Sequence, residues 1–264
     1  MKIGFIGLGN MGGSLARVVA RQKNHQILLA NRSPEKAKQI ANEVGGEPVT
    51  NEVVFEQANV IFLGVKPTQF ADLLQEYHAI LEKRSSVLLI SMAAGLTLQQ
   101  LEALVPTQHR LIRIMPNTPV AVGAGVISYA VSDKVTRQDE GLFCKLLASA
   151  GMVIRLYERQ LDAATAVAGC GPAFVYLFLE ALADAGVQAG LPRDLALQLA
   201  NQTLLGAAAL AKESGQHPAV LKDQVCSPAG STIAGVASLE ADAFRGNIIK
   251  AVAASYKRTQ ELGK

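Results

Sequence analysis

The feature that most constrains this chain is a glycine-rich turn directly after its first apolar run. Lys2 to Ile6 lead into Gly7, Gly9 and Gly12, and a helix-like stretch follows from Ser14 to Gln22. In dinucleotide-binding folds, glycines at this spacing allow a sharp turn, approach of the backbone to a pyrophosphate, and close packing of helix on strand. The free N–H groups at the start of the following helix can bind the negatively charged pyrophosphate. An ordinary glycine-rich turn is the alternative, and the flanking strand and helix favour the cofactor.

Strand and helix patterns alternate through the first half of the chain. Apolar runs predict strands, and the stretches between them predict helices. Continuous apolar strands separated by helices are typical of a parallel sheet that is covered on both faces. The pattern predicts an α/β Rossmann-type domain with a mostly parallel sheet. The predicted strands are 26–30, 59–65, 86–91, 110–115, 126–131 and 152–156, and the predicted helices include one starting at Ser33, with Pro34 at its first position, and those at 68–83, 98–104 and 137–150.

The character of the sequence changes near Glu158, after which no strand pattern is seen. Residues 173–189 and 193–212 predict long helices that are apolar on almost every side. Such helices must be buried on every side. We expect a Rossmann-type domain at 1–158 and an all-α dimerisation and substrate domain at 159–264, in which two copies interleave as an obligate homodimer that could assemble further. A compact monomeric helical bundle is the alternative.

Composition narrows the class of protein. The 264 residues are 50% hydrophobic with a net charge of +3, and no basic run interleaves with aromatic residues, so no nucleic-acid partner is expected. The three cysteines are far apart and the four histidines have no ligand spacing, which predicts reduced thiols, a cytoplasmic location and no metal site. Residues 163–179 carry no charge, but they are few for a membrane span and are broken by glycine and proline, so no membrane partner is expected.

The residues that end the second predicted strand bear on the choice of cofactor. Chains that bind NAD usually have an acidic residue there to hold the ribose hydroxyls, whereas this chain has Asn31, Arg32 and Ser33. Arg32 can pair with a 2′-phosphate, Ser33 can donate to it, and Lys36 lies one turn further on. We therefore expect NADPH, with NADH weaker; the alternative is that Arg32 is a solvated surface residue.

Ligands of open parallel sheets bind at the carboxyl ends of the strands. Three predicted strands are each followed by a segment of small residues and prolines, at Gly64 to Pro67, Ser91 to Gly95, and Met115 to Pro119. Segments of this kind suit the floor of a nicotinamide site. Asn117 is the expected polar contact there. Lys66 is either a cofactor contact or a solvated strand-end lysine.

A second polar segment lies in the helical half, at Ser227 to Thr232. Proline, glycine, serine and threonine precede a helix start there and offer backbone N–H groups and hydroxyls in a small space. The loop could bind the carboxylate of a small substrate, or it could only cap the helix.

With these motifs in view, the chain resembles the pyrroline-5-carboxylate reductase family along its whole length. The resemblance rests on Phe5 to Met11, Val65 to Pro67, Ala93 to Gly95, Met115 to Pro119, Gly169 to Ala173, and most specifically on Leu221 to Thr232. Departures are modest: Cys170 replaces a commoner serine, Phe174 a commoner tyrosine, and Ala229 a commoner glycine.

The resemblance implies the site residues. A family asparagine that binds NADPH matches Asn51, and the family's threonine beside the ring nitrogen of the substrate matches Thr232, the expected catalytic residue. The expected substrate-binding residues are Gly230, Ser231, Thr232 and Asn117. The expected cofactor-binding residues are Ile6, Gly7, Leu8, Gly9, Asn10, Met11, Gly12, Asn31, Arg32, Ser33, Asn51, Gly64, Val65, Lys66, Pro67, Met92, Ala93 and Ala94.

The resemblance also implies the reaction: NADPH-dependent reduction of 1-pyrroline-5-carboxylate to L-proline, the last step of proline biosynthesis, with hydride going to C5 of the ring imine. Two alternatives stay open. The first is a β-hydroxyacid dehydrogenase-like oxidoreductase, which needs a catalytic lysine that the helix starting at Ala173 does not offer. The second is an NADPH-binding protein without catalytic activity.

Overall fold

The computed structural model describes residues 1–262, and contacts along the chain divide it into two compact units. One unit contains Met1–Cys170 together with the chain end from Ser255, and the other contains Gly171–Ala254.

The first unit is built on one eight-stranded sheet with strand order β3-β2-β1-β4-β5-β6-β7-β8. All neighbouring strands are parallel except β6 and β7, which pair antiparallel. This confirms the mostly parallel Rossmann-type sheet. The strands are β1 Lys2–Ile6, β2 Gln26–Ala30, β3 Glu47–Pro48, β4 Val60–Leu63, β5 Leu88–Ser91, β6 Arg110–Pro116, β7 Gly125–Val131 and β8 Gly151–Arg155.

Helices cover the sheet on both faces. In β4, Val60 and Phe62 belong to one hydrophobic cluster, and Ile61 and Leu63 belong to another. Because successive strand residues point to opposite faces, the two clusters lie on opposite sides of the sheet. The helices of this unit are α1 Asn10–Ala20, α2 Pro34–Val44, α3 Asn51–Gln57, α4 Phe70–Glu76, α5 His78–Lys83, α6 Leu98–Glu102, α7 Arg137–Leu146 and α8 Leu161–Ala164. Side chains of α1, α2 and α7 enter the first cluster, and side chains of α3, α4, α5, α6 and α8 enter the second.

Short polar side chains set where several helices begin. Thr97 and Thr136 each form a reciprocal capping box, with Gln100 and Asp139 respectively. Thr50 caps α3 by accepting a hydrogen bond from the Val53 N–H.

Two parts of the sheet unit differ from the prediction. The helix expected over 68–83 is three pieces, because the chain turns at Tyr77 between α4 and α5 and a 3₁₀ turn occupies Pro67–Gln69. The Tyr77 ring stacks on Phe55 of α3, with ring centroids 5.0 Å apart. Strand β3 and helix α3 were not predicted, since β3 has two residues, one of them a proline, and α3 has seven.

A buried arginine ties the segment after β8 to the sheet. Arg113 of β6 forms ion pairs with Glu158, at 3.1 Å, and with Asp162, at 3.3 Å. The Glu158 carboxylate also accepts a hydrogen bond from the Leu98 N–H at 2.6 Å. Because a buried guanidinium needs partners, these contacts hold residues 158–162 within the sheet unit.

The second unit is entirely helical over the residues that the structure describes. Its helices are α9 Gly171–Gln188, α10 Arg193–Ser214, α11 Pro218–Val225, α12 Ser231–Ala241 and α13 Phe244–Leu262, the last of which continues into the chain end. Helix α9 packs on α10, where a Cβ on Gly186 would lie 3.0 Å from the Ala196 Cβ.

Little of this helical unit is buried by its own chain. The buried apolar side chains within it are Ala183, Ala196 and Ala200, whereas Leu177 is 66% exposed and Leu205 is 65% exposed. Full burial of one leucine is worth about 1.5–3 kcal/mol. A unit that exposes so many large apolar side chains therefore needs further cover.

Within residues 1–262, one helical run, Glu158–Gln188, is long and apolar enough to cross a membrane by length and composition alone. Length and composition are weak evidence of a membrane span, because a helix that is buried against another protein surface has the same composition.

A buried histidine links β5 to the helix that precedes it. His109 Nδ1 accepts a hydrogen bond from the Val87 N–H at 3.1 Å, and its Nε2 lies 3.0 Å from the Leu81 carbonyl oxygen. Val87 can donate only to an unprotonated Nδ1, so the ring is neutral with its proton on Nε2. Burial lowers the pKa of His109, and the nearby Arg84, Arg110 and His78 charges act in the same direction, although the contact with Leu81 opposes them.

We expect His109 to make the protein less stable in acid. Below about pH 6.5 the unfolded chain binds a proton that the folded ring resists, so the free energy of unfolding falls as the pH drops. Thermal unfolding between pH 7.5 and pH 5 should show a smaller loss of Tm for His109→Asn than for the wild type, each relative to its own value at pH 7.5. His217→Asn, at an exposed histidine outside the sheet unit, is the matched control, and equal pH dependence in all three proteins would contradict the assignment.

Candidate active site

The turn between β1 and α1 brings three backbone segments into contact. Gly7 has φ +86°, and a Cβ there would lie 2.7 Å from the Gly64 carbonyl group. A Cβ on Gly12 would lie 2.1 Å from the Gly7 carbonyl oxygen. Neither position can hold a larger residue without moving the backbone. The turn and helix α1 therefore sit directly against the end of β4.

In contrast to Gly7 and Gly12, Gly9 faces open space. A Cβ there would meet no atom within 4 Å, and Gly9 precedes α1 without any side-chain cap on that helix. The first N–H groups of a helix have no partner within the helix. The turn therefore presents free donors to open space, which is the geometry that an anionic group such as a pyrophosphate requires.

The residues after β2 brace this turn. Asn31 Oδ1 accepts from the Leu8 N–H at 2.9 Å, and Asn31 Nδ2 donates to the Ser33 carbonyl oxygen at 3.2 Å. Arg32 is exposed beside them. Ser33 precedes α2 as predicted, but its hydroxyl donates to the Glu35 carboxylate at 2.9 Å instead of capping the helix.

No acidic residue follows β2 directly, as the sequence showed, and the first acidic residue after the strand is Glu35 in the first turn of α2. Its carboxylate lies within hydrogen-bond distance of Ser33 at the start of α2. Its own backbone N–H, and then the Ser33 hydroxyl, lower the pKa of Glu35. The Glu35 carboxylate therefore carries its negative charge at neutral pH, on an exposed side chain at the helix surface.

A cleft of about 560 Å³ joins these segments. Its lining contains ten residues predicted to bind the cofactor and four that were not predicted. The predicted residues are Ile6, Gly7, Gly9, Asn31, Arg32, Ser33, Asn51, Gly64, Val65 and Lys66, and the others are Gln69, Asp72, Leu73 and Glu76. Gln69 directly precedes α4 and the other three lie on it, and their position shortly after the end of β4 is the signal that could have identified them.

The other predicted cofactor residues lie around this cleft. Leu8 is buried in the core, and Asn10, Met11 and Gly12 belong to the first turn of α1. Pro67 starts the 3₁₀ turn after β4. The Met92 terminal methyl lies 2.9 Å from the position a Cβ on Gly64 would take. Ala93 is buried, and Ala94 follows it in the turn after β5. Their contact with a cofactor stays a prediction.

Asn117 is buried and already makes two hydrogen bonds. Its Oδ1 accepts from the Val126 N–H at 2.7 Å, and its Nδ2 donates to the Ala168 carbonyl oxygen at 2.9 Å. The side chain therefore fixes the end of β6 to β7 and to the π-helical turn Thr165–Gly169. One amide N–H is left, so a substrate contact by Asn117 stays a prediction.

The predicted substrate loop forms a tight turn at the start of α12. The Gly230 N–H donates to the Ser227 carbonyl oxygen at 3.0 Å, and a Cβ on Gly230 would lie 2.3 Å from Ser227 Oγ. Ser231 and Thr232 begin α12 and are exposed, and their N–H groups have no hydrogen-bond partner among residues 1–262. Of the three predicted donors, Gly230 therefore holds the turn, while Ser231 and Thr232 are available to a ligand.

Helix α11 leads into this loop and carries an ion pair between Lys222 and Asp223, with Nζ 2.7 Å from Oδ1. The carboxylate raises the pKa of Lys222 by hydrogen bond and charge. Within residues 1–262, no group of three or more His, Cys, Asp and Glu side chains could hold a metal ion.

Comparison with known families agrees with both parts of this arrangement. Residues 2–95 match the family described as NADP oxidoreductase coenzyme F420-dependent, and residues 158–262 match the family described as pyrroline-5-carboxylate reductase dimerisation. The second match begins at the residue where the strand pattern of the sequence ends. It also confirms that the helical half is a dimerisation region.

Individual proteins resemble the chain over its whole length. The pyrroline-5-carboxylate reductase of Pisum sativum is 43% identical over 265 residues, covering 98% of this chain and 95% of the relative. The crystal structure of Plasmodium falciparum pyrroline carboxylate reductase with NADP bound has a TM-score of 0.90 and 34% identity, covering 100% of this chain and 98% of that one.

A more distant structure shares the fold alone. The Mycobacterium tuberculosis 3-hydroxyisobutyrate dehydrogenase has a TM-score of 0.52 and 15% identity. Since the identity to the reductases extends over the sheet unit, the helical unit and the loop between α11 and α12, the chain belongs to the pyrroline-5-carboxylate reductase family.

Proposed function

We propose that the protein reduces 1-pyrroline-5-carboxylate to L-proline with NADPH, the last step of proline biosynthesis. The observation that carries the proposal is 43% identity to a pyrroline-5-carboxylate reductase over 98% of the chain. A β-hydroxyacid dehydrogenase shares the fold at 15% identity, which does not support that chemistry here. A binding protein without catalytic activity is excluded if the purified chain oxidises NADPH only when pyrroline-5-carboxylate is present.

The residues around the β1–α1 turn fit a dinucleotide. A Cβ at Gly9 would meet no atom within 4 Å, so a pyrophosphate can approach the backbone there, and the open start of α1 supplies N–H donors. We propose that Arg32 and Ser33 hold the 2′-phosphate, that Asn51, Gly64, Val65 and Lys66 line the rest of the cleft, and that the Met92–Ala94 segment lies beside the nicotinamide end.

The chemistry required of the protein is mainly orientation. When bound, NADPH supplies the hydride that C5 of the ring receives. We propose that the Ser231 and Thr232 N–H groups bind the substrate carboxylate at the start of α12, while Gly230 maintains the turn. The Thr232 hydroxyl forms a hydrogen bond with the ring nitrogen and so positions the protonated imine. Because a threonine hydroxyl is too weak an acid to protonate the substrate alone, its role in proton transfer is that of a relay.

We propose that residues 159–264 form an interleaved homodimer that can assemble further, and that residues 1–158 form the sheet domain. The exposed leucines of α9 and α10 and the match to a dimerisation family support this. We also propose a cytoplasmic location, which is supported by three cysteines that are all free.

The identity of the cofactor depends on Arg32. Replacement of Arg32 by Asp removes the cation and places an acid in the segment between β2 and α2, so the KM for NADPH should rise by ~10-fold or more while the KM for NADH changes little. The measurement is initial rates with each cofactor. Arg137→Asp, at an exposed arginine at the start of α7, is the control. Equal effects of Arg32→Asp on both cofactors would refute the role of Arg32.

The role of Thr232 is tested by removing and restoring its hydroxyl. Thr232→Ala should lower kcat/KM for the imine by ~10-fold to 1000-fold, the effect of one well-placed hydrogen bond, and Thr232→Ser should recover most of it. The KM for NADPH and the Tm should change little in both variants. Unchanged kinetics in Thr232→Ala, or a loss that Thr232→Ser does not recover, would remove Thr232 from the mechanism.

The dimer depends on apolar surface in α10. Leu205→Glu puts a charge where the wild type has a 65% exposed leucine, so light scattering at micromolar concentration should give a smaller mass than for the wild type. Val122→Glu is the matched control, because Val122 is 79% exposed and lies outside the dimerisation match. A monomeric wild type would contradict the dimer.

A further inference from the structure

The loop that precedes α12 contains a backbone conformation that its sequence does not favour. Ser227 to Gly230 form a four-residue turn closed by the Gly230 N–H to Ser227 carbonyl hydrogen bond. The ring of Pro228 fixes φ at the second position, and Ala229 at the third position has φ +55°. Proline followed by a residue with positive φ is the pattern of a type II turn, in which the third position is usually glycine.

An alanine at that position has an alternative. In a type I turn the same hydrogen bond closes the loop, but the third residue has negative φ, which an L-residue adopts without a steric penalty. The two turns differ mainly by a half rotation of the peptide that joins Pro228 and Ala229. The left-handed conformation therefore competes with one that suits alanine better.

The turn is coupled directly to the donors of the proposed substrate site. Gly230 is both the last residue of the turn and the residue that precedes α12, and a Cβ on it would lie 2.3 Å from Ser227 Oγ, so a side chain there would require Ser227 to move. Ser231 and Thr232 follow at once. A change in the turn therefore changes the direction in which these two N–H groups point.

We propose that Ala229 makes this loop a two-state element and thereby sets the affinity for the substrate carboxylate. The inference rests on the proposed function, since it concerns the same donors. Only the left-handed turn presents the Ser231 and Thr232 N–H groups correctly, and the apparent affinity is reduced by the fraction of molecules in the other turn. Ala229 is a positioning residue: it acts through the backbone of its neighbours.

The test uses three substitutions at this position. Ala229→Gly removes the penalty on positive φ and should lower the KM for pyrroline-5-carboxylate by about five-fold, equivalent to about 1 kcal/mol, with kcat and the KM for NADPH nearly unchanged. Ala229→Val, with a branched side chain, should raise the substrate KM. Ala229→Asn separates conformation from size, because asparagine is larger than alanine but adopts positive φ more readily. The substrate KM should therefore fall in Ala229→Asn.

The chain provides a matched control. Ala243, between α12 and α13, has φ +54° but lies outside the loop. Ala243→Gly relieves a similar backbone penalty, so it should change Tm about as much as Ala229→Gly does while leaving the substrate KM unchanged.

The outcomes separate this inference from the function on which it rests. If the wild type does not reduce the imine, the proposed function fails. If the wild type is active but Ala229→Gly leaves the substrate KM unchanged or raises it, the two-state loop is wrong and the function stands. A raised KM in Ala229→Asn would show that the space around the Ala229 methyl, and not its backbone, controls affinity.

Discussion

The structure depends on the close approach of backbone segments at Gly7, Gly12 and Gly64. A single added carbon at Gly12 would lie 2.1 Å from the Gly7 carbonyl oxygen, and one at Gly64 would lie 2.6 Å from the same atom. Because β1, β4 and the start of α1 meet there without side chains between them, the first turn of α1 opens onto the carboxyl ends of the strands. The cleft with Arg32, Asn51 and Lys66 exists because of that approach.

The helical unit follows a different physical constraint. Its chain buries mainly small alanines and exposes large leucines of α9 and α10. Burial of such side chains is favourable only when they are removed from water. The match of these residues to a dimerisation family indicates that a second copy of the chain covers them. The same composition lets one run satisfy the length and hydropathy of a membrane span. Apolarity on every side of a helix indicates burial, and it does not identify the surface that covers it.

Local patterns made much of the fold predictable. The glycine turn, Pro34 at the start of α2, and the end of that helix at Gly45, which has φ +70°, are each set by residues within a few positions. Strand β3 was missed because it consists of two residues, whose pairing to β2 depends on the sheet already formed. The break at Tyr77 was missed because the Tyr77 ring packs against Phe55, more than twenty residues earlier.

As with the fold, the parts of the candidate site that lie in short sequence motifs could be predicted, and those that depend on distant contacts could not. Residues that act through their own short motif, such as Gly9 and Arg32, were identified directly. Asp72 and Glu76 were missed, because their place in the cleft depends on where α4 begins. The two internal hydrogen bonds of Asn117 were not visible in sequence, since Val126 and Ala168 are brought to it by β7 and by the turn before α9. The sequence identified Ala229 as a departure from the family, and its positive φ supplies the physical meaning.

The central claim is transfer of hydride from NADPH to C5 of a cyclic imine that the α12 loop orients. The most direct measurement follows the atom itself, by incubating the enzyme with NADPH deuterated at the transferred C4 position and pyrroline-5-carboxylate. Mass spectrometry and NMR of the product should show L-proline with one deuterium, at C5. Proline without deuterium, deuterium at another carbon, or no proline at all would contradict the account.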